Sequence, residues 1–272
     1  MSKAKECFAY NTKIIETPTT KEVYIYENPI FSHSIEKADL EKTSKRKTFD
    51  EMSAHKQYDS LKRKQKHYEQ TCWEIARIVD CNFNNRTKFV TLTFKENIQD
   101  ITVTNREFKY FIQRLNYSLY HTKIQLLKYI ATWEKQKRGA IHYHVIFFDF
   151  PFVAKEKLQD LWTYGFIKIN RIDVDSMENR GRYLSKYFGK DLELKEHKKK
   201  AFFKSQNLKM PIEQKLMLTD DILQDLTQEN VVFQKEYTRQ VYDTKSIITN
   251  GSPLKDSSVT YLKIKKGRDC TG

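Results

Sequence analysis

Two clusters in this chain have the residue types and spacing to do chemistry. His142 and His144 lie one residue apart in Gly139-Ala140-Ile141-His142-Tyr143-His144-Val145-Ile146-Phe147-Phe148, whose apolar run reads as a buried strand. Side chains alternate faces along a strand, so both imidazoles point the same way and form a ready pair of metal ligands. Glu134 stands eight residues before His142, in Ile130-Ala131-Thr132-Trp133-Glu134, which also reads as a strand. The linker Lys135-Gln136-Lys137-Arg138-Gly139 is polar and ends in glycine, which predicts an antiparallel hairpin. With the turn centred on Arg138, Glu134 falls opposite His142 and its carboxylate joins the imidazoles on one face. Two nitrogens and one carboxylate, with positions left open, are the minimum of a catalytic metal site. A lone histidine on an apolar strand is commonly a packed core residue, and H-x-H by itself is a weak signal. The glutamate at a matching hairpin position strengthens it.

The second cluster is Tyr183-Leu184-Ser185-Lys186-Tyr187-Phe188-Gly189-Lys190. Tyr183 and Tyr187 are four apart and share a helix face, and Lys186 and Lys190 repeat the spacing. Two phenols on one face, each with a lysine three residues on, suit covalent phosphoryl transfer. A phenolate attacks a phosphodiester while a metal and nearby ammonium groups neutralise the non-bridging oxygens. Against this, tyrosines at that spacing are commonly a packing pair, helix lysines commonly face solvent, and a chain with 16 tyrosines contains chance pairs.

The elements that must hold these groups follow from periodicity. Phe89-Val90-Thr91-Leu92-Thr93-Phe94 alternates as a strand, and Thr104-Asn105-Arg106-Glu107 reads as a capping box opening a helix striped by Phe108, Phe111, Ile112, Leu115 and Leu119. After the histidine hairpin, Leu158, Leu161 and Trp162 mark a short helix, and Tyr164 to Ile169 a strand. The order is β-α-β-β-α-β, a split β-α-β (ferredoxin-like) α+β arrangement with one antiparallel sheet flanked by helices. Asp175-Ser176-Met177-Glu178 is a second capping box, opening a helix that runs to about Lys190 and carries the tyrosines. Phe202-Phe203, a turn at Lys209-Met210-Pro211, a short helix around Asp220 to Leu226 and the strand-like Val231-Val232-Phe233 follow. Residues 1–85 read as a basic, partly helical extension, with a strand-like piece at Val23-Tyr24-Ile25-Tyr26, the basic runs Lys45-Arg46-Lys47 and Lys62-Arg63-Lys64-Gln65-Lys66, and a helical pattern through Trp73, Ile75 and Ile78. Residues 86–244 read as the folded domain and 245–272 as a polar, basic tail.

Lys+Arg 49 against Asp+Glu 35 gives the 272-residue chain a net charge of +14, which favours a polyanionic partner, nucleic acid before an anionic membrane surface. No apolar run approaches the roughly 20 residues of a membrane span, and no apolar signal-peptide core follows Met1, so no membrane partner is expected. Cys7, Cys72, Cys81 and Cys270 are scattered without CxxC spacing, as in a reducing, cytoplasmic setting. With seven glycines there is no GxxxxGK[ST] loop, so no built-in motor is expected.

Taken in order, Phe89 to Phe94, Glu134 with His142-Tyr143-His144, and Tyr183 to Lys190 resemble the three motifs of the HUH endonucleases, over roughly residues 86–240. Within them the chain looks most like rolling-circle replication initiators of small plasmids and phages, including the gene II and gene A type proteins of single-stranded DNA phages. The resemblance implies a five-stranded antiparallel sheet with the histidine pair on a central strand. It implies an enzyme that nicks one origin strand, with Glu134, His142 and His144 holding Mg²⁺ or Mn²⁺ at the scissile phosphate. A tyrosine attacks, leaving a 5′-phosphotyrosine link and a free 3′-OH primer, and the strand is rejoined at termination. Tyr183 and Tyr187 fit both the Y-x-x-K form and the two-tyrosine form. Tyr183 is the expected nucleophile and Lys186 its expected helper. Two imidazoles and a carboxylate bind late transition metals more tightly, so cellular availability would select Mg²⁺ or Mn²⁺. Arg138, Arg180, Arg182 and Lys195 are the expected DNA contacts, with Lys198-Lys199-Lys200 and the basic arm before Trp73 adding phosphate contacts. Tyr143 or Trp133 could stack on bases, although alternation turns Tyr143 away from the histidines. The partners implied are origin DNA, as a single strand or hairpin, and a host helicase and polymerase. A relaxase or single-strand transposase shares this chemistry, and a non-catalytic DNA-binding regulator could share the sheet.

Overall fold

A computed structural model describes residues 8–32, 49–136, 138–171, 202–228, 230–242 and 254–266. In chain order the elements are β1 (Phe8–Glu16), β2 (Thr20–Ser32), α1 (Ala54–Asn82), β3 (Lys88–Thr93), α2 (Ile101–Tyr120), β4 (Lys128–Lys135), β5 (Ile141–Phe148), α3 (Lys155–Leu161), β6 (Ile167–Arg171), β7 (Phe202–Lys204), β8 (Ile212–Leu216), α4 (Asp220–Gln228), β9 (Val231–Tyr242) and β10 (Leu254–Lys265). They form two compact units, one from residues 53–210 and one from the segments up to 52 and from 211 onward.

The central unit is an α+β layer built on a five-stranded sheet in the order β6-β3-β5-β4-β7, with every neighbouring pair antiparallel. β3 and β4 flank β5 and are joined by α2, which is the split β-α-β connection expected from the sequence, and β5 is the middle strand. Alternation along β5 sorts its residues. Ile141, Tyr143, Val145 and Phe147 enter the core with Phe108, Phe111 and Leu115 of α2 and Leu158 of α3. On the other face Ile146 and Phe148 pack with Ile75, Ile78 and Val79 of α1, together with Phe89 and Ile130. That face is therefore apolar at one end of β5 and carries His142 and His144 at the other.

Three local features fix the frame. The α2 helix starts at Ile101, not after Thr104, because the Asp100 side chain accepts from Thr102 N at 2.7 Å and caps it four residues earlier than expected. Thr104 instead turns its hydroxyl inward, to Ile101 O and to the Tyr143 phenol. Entry into β4 is pinned by buried Asn116, whose amide donates to Thr122 O and Ile124 O and whose carbonyl accepts from Leu126 N and Leu127 N, all at 2.9–3.0 Å. β6 begins at Ile167 rather than at Tyr164, since Gly165 lies against the end of β3. A Cβ there would sit 2.2 Å from Thr93 O, so only glycine fits.

The second unit is a separate five-stranded antiparallel sheet in the order β8-β1-β2-β10-β9. On one face Leu223 and Leu226 of α4 pack with Ile14, Val23, Leu262 and Ile264. These units divide the chain differently from the expected boundaries at 85/86 and 244/245. α1 belongs to the central unit because its apolar stripe is buried under that sheet. The expected N-terminal extension and C-terminal tail instead supply β1, β2 and β10 of one sheet, together with β8 and β9. Leu262 and Ile264 alternate with Tyr261 and Lys263, which makes the segment polar by composition yet half-buried by pattern.

Candidate metal centre

The hairpin positions the first cluster as expected. Gly139 N donates to Gln136 O at 2.7 Å and Gln136 N to Ala140 O at 2.8 Å, with Gly139 at φ +88° in the left-handed region glycine tolerates. That turn sets Glu134 directly opposite His142 and Thr132 opposite His144. Three ligand atoms converge: His144 Nε2 lies 2.8 Å from Glu134 Oε2, His142 Nε2 lies 3.3 Å from it, and the two Nε2 atoms are 3.0 Å apart. The side chains are only 11%, 12% and 22% exposed for His142, His144 and Glu134.

Three electron-rich atoms this close need positive charge between them, from shared protons or from a cation. Adjacent ligands on a six-coordinate ion with bonds of about 2.1 Å at right angles stand roughly 3.0 Å apart, so the set fits one divalent ion. Burial alone would raise the Glu134 carboxyl, but the hydrogen bond to His144, the fields of both imidazoles and the bond to His142 outweigh it, and the group is held below its ordinary range. Glu134 is thus an anion aimed at the point where a cation would sit.

The two imidazoles are supported unequally. The His144 ring is stacked on Phe89 at 5.5 Å between centroids, and its Nδ1 lies 3.2 Å from Thr91 Oγ1. With Nε2 kept as a ligand lone pair, Nδ1 carries the proton and donates it to Thr91, which fixes ring and tautomer together. His142 Nδ1 is buried and makes no hydrogen bond among the described residues. Thr93, opposite His142 on β3, has its hydroxyl engaged elsewhere: it donates to Phe166 O at 3.1 Å and accepts from Phe166 N at 3.0 Å.

Register across the sheet adds two residues that motif spacing alone does not reveal. Lys168 pairs with Thr91 and so shares the face of His144, and Phe166, 77% exposed, stands beside Thr93 on the face of His142 and Glu134. The signal was present in the alternation Phe166-Ile167-Lys168, in which Ile167 is the core residue. Of the expected DNA contacts, Arg138 is exposed but gives its guanidinium to Phe94 O, Lys95 O and Gln136, and so braces the hairpin turn against β3. Tyr143 and Trp133 are both buried on the α2 face, Tyr143 stacked on Phe108 with its phenol donating to Asn105 Oδ1 at 2.6 Å, so neither is a base-stacking surface. Trp133 is buried because it sits one residue out of phase with Glu134. Tyr183, Tyr187, Lys186, Lys190, Arg180, Arg182 and Lys195 lie outside the described residues.

No helix among the described residues is long and apolar enough to cross a membrane. No solved structure matches the chain. Among curated proteins, it is 28% identical over 146 residues to the phasyl DNA replicon protein arp of Escherichia coli, a stretch that is 44% of this chain and 49% of that protein. The chain thus spans about half the length of the curated relative it matches. Residues 87–192, which run from β3 through the triad to the segment of the paired tyrosines, match the family described as replication-associated protein ORF2/gene 2 protein.

Proposed function

We propose that this chain is a rolling-circle replication initiator that nicks one DNA strand at its origin and later rejoins it. The observation that carries the reading is the convergence of Glu134, His142 and His144 on the middle strand of an antiparallel sheet and its hairpin partner. Support comes from the match of the surrounding residues to a replication-associated family and from the net charge of +14. Bound between these ligands, Mg²⁺ or Mn²⁺ would neutralise the non-bridging oxygens of the scissile phosphate as charge builds on them. Glu134 supplies the anionic ligand, and His144, locked by Thr91 and Phe89, fixes where the phosphate must lie. The Tyr183 phenolate attacks phosphorus as the bond to O3′ breaks. The O3′ leaving group takes up a proton, and the products are a 5′-phosphotyrosine and a 3′-OH primer. In termination a 3′-OH attacks the phosphotyrosine and restores the phosphodiester, with Tyr187 able to accept the second strand. Lys186 and Lys190 add positive charge near the phenols, and Lys168 adds it from the triad face of the sheet. The chain would act in the cytoplasm on single-stranded or hairpin origin DNA, with a host helicase and polymerase extending the primer.

Incubating the chain with Mn²⁺ and single-stranded origin oligonucleotides tests this. A covalent adduct stable to denaturant is expected with wild type, and none with Tyr183→Phe/Tyr187→Phe or with His142→Ala/His144→Ala. An adduct that persists in the double phenylalanine variant, or wild type that forms none with any origin strand, would overturn it.

A further inference from the structure

The sheet of the second unit has a face that the nicking chemistry does not use. Register places Lys215, Lys13, Tyr24, Tyr261 and Lys235 in one row across all five strands, on the face opposite α4. The next row carries Tyr26 and Tyr237 on either side of Val259. Among the described residues no helix covers this face. Its rings form a continuous surface: Tyr24 meets Tyr261 at 4.9 Å between centroids, Tyr261 meets Phe233 at 6.1 Å, and Tyr26 meets Tyr10 at 5.9 Å. Cations lie among the rings, with the Arg239 guanidinium 4.7 Å from the centre of Tyr26 and Lys215 Nζ 5.5 Å from that of Tyr10. The Arg239 Nε is buried and makes no hydrogen bond among the described residues, so one donor in this surface is unspent.

We propose that this face is a second DNA site, a stacking platform for single-stranded DNA that works without metal and without the catalytic tyrosines. An open antiparallel sheet with aromatic rings flanked by lysine and arginine offers both things a single strand needs. Rings stack on bases of any sequence, and cations pair with the phosphates between them. An apolar protein partner would favour a face without this charge. Lys13, Lys215, Lys235, Lys263 and Arg239 stand on it against Glu22 and Glu213. Phe233 and Tyr237, on the edge strand β9, are 52% and 39% exposed and are the rings most open to a base. The choice of DNA as the polymer rests on the replication reading, whereas the platform itself does not.

The test uses the full chain carrying Tyr183→Phe and Tyr187→Phe, with divalent ions chelated and a fluorescent oligothymidine of about 16 nucleotides. Anisotropy should show salt-dependent binding, and Phe233→Ala and Tyr237→Ala should each weaken it about tenfold. Because both side chains are exposed on an edge strand, these variants should keep the wild-type circular dichroism. A bromouracil-substituted strand, photo-crosslinked to the unmutated platform, should attach to residues of β2, β9 or β10 whatever the variants do. Wild-type affinity in both alanine variants, or crosslinks confined to residues 53–210, would sink the proposal. The assay contains neither metal nor the attacking phenols, so it succeeds or fails separately from adduct formation.

Discussion

Thr91→Val isolates what holds the metal ligands in place. Valine keeps the β-branched shape that suits a strand, removes no ligand, and deletes only the hydroxyl 3.2 Å from His144 Nδ1. A neutral hydrogen bond nets about 0.5–1.5 kcal/mol, and loss of a partner behind a metal-bound histidine weakens binding roughly 10–100-fold. The contact here is long and its acceptor uncharged, so the lower part of that range applies, and Mn²⁺ affinity should fall about tenfold. Titrating Mn²⁺ and following the free ion by electron paramagnetic resonance measures this directly. Thr93→Val is the matched control. Thr93 faces His142 across the same strand pair, but its hydroxyl bonds the backbone of Phe166 and not the ring. It should lower stability by about 1–2 kcal/mol and leave Mn²⁺ affinity within about twofold. If Thr91→Val binds Mn²⁺ as wild type does, or Thr93→Val weakens it equally, the unequal support of the two imidazoles is wrong.

Other outcomes follow from the same geometry. Lys168→Ala should slow adduct formation without changing Mn²⁺ affinity, and should lower the salt slope of single-strand binding by about 0.7, the share of one phosphate contact. An unchanged slope would remove Lys168 from the DNA face. Asn116→Ala deletes four hydrogen bonds at the entry to β4 and should destabilise the central unit by about 3 kcal/mol in urea unfolding. A loss below about 1 kcal/mol would show that the loop closes without it. Burial, with the neighbouring phenols of Tyr10 and Tyr237, pushes the Tyr26 phenol up to about 12. Its folded value lies above the roughly 10 of an unfolded chain, so its contribution to stability is complete below about pH 10 and is lost as pH climbs through about 12. Tyr26→Phe should flatten that alkaline loss in thermal melts, and an unaltered pH dependence would contradict it.

The metal centre was legible because local rules decide it. A polar linker ending in Gly139 fixes the hairpin, the hairpin fixes Glu134 against His142, and alternation brings His144 to the same side. The start of α2 misled because Asp100 and Thr104 are both good caps, and burial of the Thr104 hydroxyl beside Tyr143 settles the choice in a way no short pattern reveals. Thr91, Lys168 and Phe166 needed the pairing of β3 with β5 and β6, which depends on strands far apart in sequence. The second sheet was the hardest to read. Its strands pair residues such as Lys21 and Ile264, and its open face replaces an apolar stripe with tyrosine and lysine, so nothing in the local pattern announces a core.

That sheet also sets an order of assembly. β10 emerges from the ribosome after every other described element, yet it lies between β2 and β9. Until it arrives, β2 has one edge unpaired and β9 has no described neighbour, while the central unit, whose strands are all within residues 53–210, has everything it needs to fold. A chain interrupted shortly before β10 would therefore carry an intact metal triad without the tyrosine-lined sheet. Completion of synthesis acts as a checkpoint on that surface, and a strand-cutting centre can exist in the cell before its companion sheet does.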